Sequence, residues 1–215
     1  MNYQASITAR LPIEHAFKAI TQNISGWWAK DFKGKADQLN DIFTVRFGKT
    51  FGTMKIVELI PNWKITWKVI DNYLDLFHDK KEWQGTSMEW EFASIGNSTT
   101  IKMTHVGLTP DKECFKDCQN GWDFFIKKSL QKFLSEGKGI PGTGIRGRIM
   151  LDGKNVEGTI YGKKDNLPEF PEKFLLIDVK ELNGEEVVLS HGIKSSGRNE
   201  FIATDLQGEY FMIVN

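Results

Sequence analysis

The stretch PDKECFKDCQNGWDFFIKKSLQKFLSEG, residues 110–137, reads as one long amphipathic helix. Thr109 can cap its N-terminus ahead of Pro110 and Asp111, and Gly137 ends it. Cys114, Cys118, Trp122, Phe125, Ser129 and Phe133 recur at helical spacing, with Phe115, Ile126, Leu130 and Leu134 on the flank. Lys116, Asp117, Asn120, Asp123, Lys127, Lys128 and Gln131 fall mostly on the opposite side. One face therefore needs a large apolar partner. Nearly everything before this helix has the two-residue period of strands, so the partner is expected to be a sheet. Gly121 sits in mid-helix at a cost of roughly 1 kcal/mol relative to Ala, which suggests a close backbone approach beside Trp122.

Working outward, residues 3–10 alternate, with Tyr3, Ala5, Ile7 and Ala9 on one face of a half-buried strand. Pro12 opens a short helix to Ile20, and a second helical piece spans Asn23 to Trp28. Lys33 to Asp41 is polar and turn-like. Residues 42–47 alternate again. In 53–60 the apolar phase slips between Ile56 and Val57, the mark of a bulge or strong curvature. Trp63, Ile65, Trp67 and Val69 share one face of the next strand. Asn72 to Lys81 carries Tyr73, Leu74, Leu76 and Phe77, an apolar loop able to pack over a core edge or to lid a pocket. Gly96-Asn97 marks a hairpin between 87–92 and 99–106. Its strand phase sets Met88, Trp90 and Phe92 on the same side as Ile101, Met103 and His105.

Strands grouped together, with one long helix laid across them, make the fold class α+β. The expectation is a curved antiparallel sheet gripping the helix, with a cavity where the two do not close. The glycine-rich segment 137–144 separates two compositions and has little to bury, so it reads as a linker. Beyond it, 145–215 shows only strand patterns, at 145–151, 156–161, 174–181, 186–190, 200–203 and 210–214, punctuated by Asp152-Gly153, Asn183-Gly184 and Gln207-Gly208. The expected organisation is a first domain over 1–138, a linker over 139–144 and a small all-β sandwich or barrel over 145–215.

The opening strand, Pro12-Ile13-Glu14-His15-Ala16-Phe17-Lys18-Ala19-Ile20 and Trp27-Trp28 resemble the START-like superfamily. So do Trp83-Gln84-Gly85-Thr86, Thr104-His105-Val106-Gly107-Leu108 and Gly121-Trp122. More narrowly, the pattern is similar to the branch related to the activator of the Hsp90 ATPase, over about 1–137. The resemblance implies a helix-grip fold with a cavity between helix and sheet. The superfamily includes lipid and hormone carriers, cyclases and co-chaperone domains, so the resemblance does not choose an activity. Ile145-Arg-Gly-Arg-Ile, Gly153 to Gly158 and Thr204 to Tyr210 are similar to carboxypeptidase regulatory-like (transthyretin-like) domains, which would imply an accessory module without catalysis.

The 215 residues carry 28 basic and 28 acidic side chains and no dense basic run, which argues against nucleic acid or an anionic membrane as partner. No apolar run approaches the ~20 residues of a membrane span. The N-terminus lacks a signal-peptide pattern, so a cytoplasmic protein is expected. Cys114 and Cys118 stand one helical turn apart, as two metal ligands would, with His105 on the facing strand. No fourth ligand accompanies them, so reduced, metal-free cysteines and no cofactor are expected.

The candidate ligand-binding residues are Trp28, Trp67, Trp90, Ile101, Met103, His105, Cys114, Cys118, Trp122 and Phe125. His105 would supply a polar contact to a small apolar or amphipathic molecule; otherwise it is a core histidine bonded to backbone or to a tryptophan. Room is expected beside Cys114, Cys118 and Gly121, where the helix is thin. Adjacent Trp27 and Trp28 cannot both face inward from regular structure, which would put one at a mouth or an interface. The alternatives to ligand binding are a protein-interaction module of co-chaperone type and a cyclase- or hydrolase-type enzyme. No acid/base set supports the last.

Overall fold

In the computed structural model, residues 1–75 and 77–142 are described with their side chains; beyond them only the strand backbones named below are described. Strand β1 (Tyr3–Ala9) turns Tyr3, Ala5, Ile7 and Ala9 inward, as its alternation requires. Helix α1 (Ile13–Thr21) follows, with Pro12 extended at its N-cap. It buries Ala16, Ala19 and Ile20 and sets Phe17 against Phe92, ring centroids 5.3 Å apart. One tight helical turn, Ile24–Gly26, leads into β2 (Asp31–Gly34), β3 (Ile42–Phe47), β4 (Thr50–Ile60) and β5 (Lys64–Tyr73). The sheet is completed by β6 (Ser87–Ile95) and β7 (Ser98–Val106). Its order is β1-β7-β6-β5-β4-β3-β2, and every neighbouring pair is antiparallel.

The hairpin phase is the expected one. Gly96 adopts φ +59° in the two-residue turn, and Trp90 stands opposite Met103, Met88 opposite His105, and Phe92 opposite Ile101. The slip in β4 is a bulge: Ile56 pairs with Trp67 and Glu58 with Thr66, leaving Val57 unpaired and turned out to 45% exposure. A second register shift lies between Thr53 and Met54. Two irregularities in one pair of long strands bend the sheet around the helix. Two expectations fail at the margins. The stretch Lys33 to Asp41, read as turn-like, opens with the last two residues of β2, whose short run pairs with β3 despite having no alternation to betray it. Trp63 lies in the turn before β5, 58% exposed, and not on the core face with Ile65, Trp67 and Val69.

The long helix begins at Phe115 and not at Pro110. Residues 109–114 make tight turns (Lys112 N–H to Thr109 C=O, Phe115 N–H to Lys112 C=O). The cap comes from far along the chain: the Glu82 carboxylate accepts the N–H of Glu113 at 2.8 Å and of Cys114 at 2.7 Å. An acceptor of that charge at a helix N-terminus satisfies orphan donors and complements the dipole. The helix then runs as α2 (Phe115–Phe124), a π-helical turn Phe125–Leu130, and α3 (Gln131–Glu136), closed by Gly137 at φ +74°. The wider turn lets Phe124, Phe125, Ile126, Ser129 and Leu130 all reach the interior. Gly121 faces no neighbour within 4 Å of an added Cβ, so no close backbone approach explains it.

The segment after Gly137 was expected to have little to bury, yet 139–142 is seated on this unit. Ile140 is 3% exposed and donates its N–H to Ser129 Oγ at 2.7 Å; Ser129 in turn donates to the Trp27 carbonyl at 2.5 Å. Gly142 bridges Ala29, exchanging backbone hydrogen bonds with Trp28 and Lys30. A Cβ on Gly139 would stand 2.6 Å from the Gly26 carbonyl oxygen, and one on Gly142 2.6 Å from the Phe47 ring. Beyond it, the described backbone consists of β8 (Ile145–Leu151), β9 (Lys154–Lys163), β10 (Leu175–Ile177), β11 (Val179–Asn183), β12 (Glu186–Leu189), β13 (Ala203–Asp205) and β14 (Gly208–Val214). β8 and β9 pair antiparallel, as do β9 and β14. The turns at 152–153 and 206–207, most of the strand read at 200–203, and the middle of the transthyretin-like pattern lie outside the described residues.

Candidate functional site

Where helix and sheet meet, the interior is walled by indole rings. Trp67 from β5 and Trp90 from β6 are fully buried, their rings 5.1 Å apart. Trp28 stacks on Trp67 at 5.8 Å and lies 4.8 Å from Trp122 of α2. Trp27 meets Trp90 edge-on at 5.7 Å and donates its indole N–H to the Ala19 carbonyl at 2.9 Å. Both Trp27 and Trp28 therefore face inward, contrary to expectation. The chain leaves the turn at Gly26 with Trp27 at φ −137°, ψ −25°, neither strand nor helix, so the alternation rule does not apply. Trp28, Trp67, Trp90, Ile101, Met103, Cys114, Trp122 and Phe125 belong to one buried cluster, with half-buried Cys118 packed against it. His105 sits against it through Trp122.

His105 is fully buried on β7, and both ring nitrogens are committed. Trp122 Nε1–H donates to Nδ1 at 3.0 Å. Thr86 spends its hydroxyl proton on the Trp83 carbonyl at 2.6 Å, so at 2.9 Å it accepts from His105 Nε2–H. The imidazole is thus the neutral Nε2–H tautomer, held at both ends. Burial, and secondarily the charge of Lys112, push its pKa down to about 3. The arrangement is that of a core histidine bonded to a tryptophan, and it leaves no polar atom for the ligand contact expected of His105.

The room expected beside Cys118 is filled by Trp83. Its indole N–H donates to Cys118 Sγ at 3.3 Å, its ring stacks on Trp122 at 6.1 Å, and it meets His105 edge-on at 5.1 Å. Trp83 has no periodic signal because it lies in a loop. That loop is tied down at both ends: Glu82 caps the helix, and the Glu113 carboxylate returns to the N–H groups of His78 and Asp79. Leu74, from the apolar loop, is buried and donates its N–H to the Lys80 carbonyl at 2.9 Å. The hydrogen bond with Cys118, then burial and the neighbouring Glu82, push the Cys114 thiol pKa up, keeping it protonated. Among the described residues no three His, Cys, Asp or Glu side chains gather as metal ligands.

Two donors in this interior have no partner: Trp67 Nε1 and Trp90 Nε1 are buried and unbonded, as is Asn72 Oδ1 at the sheet's far end. A buried donor without an acceptor costs about 1–3 kcal/mol. Glu58 pairs with Lys64 on the outer face, beside Glu89 and Glu91. Among the described residues the buried carboxylate next to the indoles is that of Glu82, whose oxygens are taken up by the amides of Glu113 and Cys114.

No protein-family model matches the sequence, and no curated protein matches it. Solved structures do. The Aha1 dimer from Colwellia psychrerythraea superposes with a TM-score of 0.54 at 24% identity, over 65% of this chain and 99% of that one. The protein SSP2350 from Staphylococcus saprophyticus gives 0.51 at 16% identity, over 67% and 100%. MLL2253 from Mesorhizobium loti gives 0.50 at 15% identity, over 61% and 96%. At these identities the likeness is one of fold alone.

Proposed function

We propose that the chain is a binding protein that holds a small apolar or amphipathic molecule among the tryptophans between helix and sheet. The observation that supports it is the pair of buried, unpartnered indole N–H groups of Trp67 and Trp90 inside an aromatic wall. Ordinary packing accounts for the rings but not for two adjacent unsatisfied donors. Each apolar area of ligand removed from water adds about 25 cal/mol per Å². The test is titration with N-phenyl-1-naphthylamine, whose absorption accepts energy from tryptophan. Saturable binding of one probe per chain, with tryptophan emission quenched, is expected. Absence of saturable binding by the folded protein rejects the reading.

A second reading rests on a different observation. Leu39, Ile42, Val57, Ile60, Trp63 and Ile70 are all exposed, from 37% to 58%, within one short span of β3 to β5 and their turns. In this reading these side chains are the docking surface, the chain is a co-chaperone-like interaction module, and the partner implied by the family resemblance is a chaperone of the Hsp90 type. Ile42→Lys and Trp63→Lys would then abolish co-purification with that chaperone without changing probe binding.

A further inference from the structure

The binding reading leaves open what kind of molecule the interior takes, and the polar atoms that face it decide between classes. The donors Trp67 Nε1 and Trp90 Nε1 are free of partners. Their strands set them diagonally on one face, since Ile65 pairs with Trp90 and Trp67 with Met88. Asn72 Oδ1 is a buried acceptor without a partner, but it lies near the C-terminal end of β5, beyond Val69; the polar groups around the two indoles are paired. His105 is bonded at both nitrogens, Trp122 and Trp27 have spent their N–H groups, and Ser129 both donates and accepts. Beside the two indoles a ligand oxygen would therefore find donors, whereas a ligand hydroxyl or amine would find no free side-chain acceptor there among the described residues.

Charge narrows the class further. Glu82 is the buried ionisable carboxylate next to this region, and both its oxygens cap the amides of Glu113 and Cys114. His105 is neutral, and among the described residues no Lys or Arg is buried. An ionised ligand would be buried with nothing to neutralise it, and that desolvation cost exceeds what two neutral N–H groups return. An uncharged acceptor carries no such cost.

We infer that the interior selects uncharged molecules carrying a hydrogen-bond acceptor on an aromatic or apolar body (a ketone, ester or ether), received by the indole N–H groups of Trp67 and Trp90. This rests on the binding reading. It also moves the orienting contact from His105 to the sheet tryptophans.

The test uses three probes of one shape: 2-acetylnaphthalene, 2-isopropylnaphthalene and 2-naphthoate, titrated into the full chain with 15N-labelled indoles. The ketone is expected to bind about 10-fold tighter than the hydrocarbon, the worth of one well-made hydrogen bond, and the carboxylate weakest. The Trp67 and Trp90 N–H resonances should move downfield with the ketone and not with the hydrocarbon. Trp67→Phe and Trp90→Phe should each lower the ratio of ketone affinity to hydrocarbon affinity. Equal affinity for ketone and hydrocarbon with unmoved indole signals overturns the inference and leaves the binding reading standing. Tightest binding by the carboxylate overturns the uncharged class. Failure of all three probes to bind rejects the binding reading itself, and this inference with it. The indole shifts are read on the wild-type chain, so the outcome stands even if a variant does not fold.

Discussion

His105 makes the chain sensitive to acid in a way that can be worked out in advance. Its ordinary pKa is 6.5, and burial lowers it to about 3 in the folded state. At neutral pH the ring is uncharged in both states and contributes nothing to the pH dependence. Below about pH 6.5 the unfolded chain takes up a proton that the folded chain refuses, so stability falls as pH falls. The slope is about 1.4 kcal/mol per pH unit, and it continues until the folded-state value near 3 is reached. Between pH 6.5 and 5 the loss attributable to this one residue is about 2 kcal/mol, a large share of a typical domain's stability. Protonation would also put a proton on Nδ1, which now accepts from Trp122. The assay is urea denaturation of the wild type and His105→Gln at pH 7.5 and 5.0. Carboxylates titrate in both proteins, so the difference of differences isolates the imidazole. The variant should lose about 2 kcal/mol less than the wild type over that interval. Equal losses in the two proteins, or an imidazole that titrates near 6.5 by NMR in the folded chain, would refute the reasoning.

Other outcomes follow from the same geometry. Gly121→Ala should stabilise by about 0.5–1 kcal/mol, since an added Cβ meets nothing and helix propensity improves. Gly139→Ala should cost about 1–3 kcal/mol because its Cβ meets the backbone oxygens of Gly26 and Ser129 at 2.6 and 2.9 Å; chemical denaturation compares the two, and like signs would contradict both assignments. Glu82→Ala should cost about 1–3 kcal/mol and speed amide exchange at Glu113 and Cys114, which lose their shared acceptor. We propose that the chain divides after 142, so limited proteolysis should leave a resistant fragment that retains Gly139 to Gly142; first cleavage at Lys138, inside the seated segment, would count against this.

What the sequence disclosed, and what it hid, follows from the range of the forces involved. Strand β1, the phase of the β6–β7 hairpin and the bulge at Val57 were legible because alternation and its slips are local. The start of the long helix was not, because its cap is a carboxylate supplied by Glu82, some thirty residues earlier. The π-helical turn at Phe125–Leu130 leaves no trace in a count of apolar residues, since it adds inward positions without changing composition. Trp27 and Trp28 were misjudged because the rule of alternating faces presumes a regular strand. Trp83 was the most consequential omission. It lies in a loop, yet it fills the space beside Cys118 that the helix alone leaves open. Of the two readings of His105, the core histidine bonded to a tryptophan is the one that matches the contacts; its other partner, Thr86, was not legible because it reaches the ring only once the fold has formed.

The claim that a small molecule enters the tryptophan-walled interior is tested most directly by locating a bound probe. Met54, Met88 and Met103 are completely buried in that core, and Met1 is fully exposed. With 13C-methyl-methionine protein and saturating 2-acetylnaphthalene, the account predicts intermolecular NOEs from the naphthyl protons to the buried methionine methyls beside Trp67 and Trp90, and none to Met1. A probe that gives NOEs only to exposed side chains such as Ile42 and Trp63, while the buried methyls are unaffected, would contradict it.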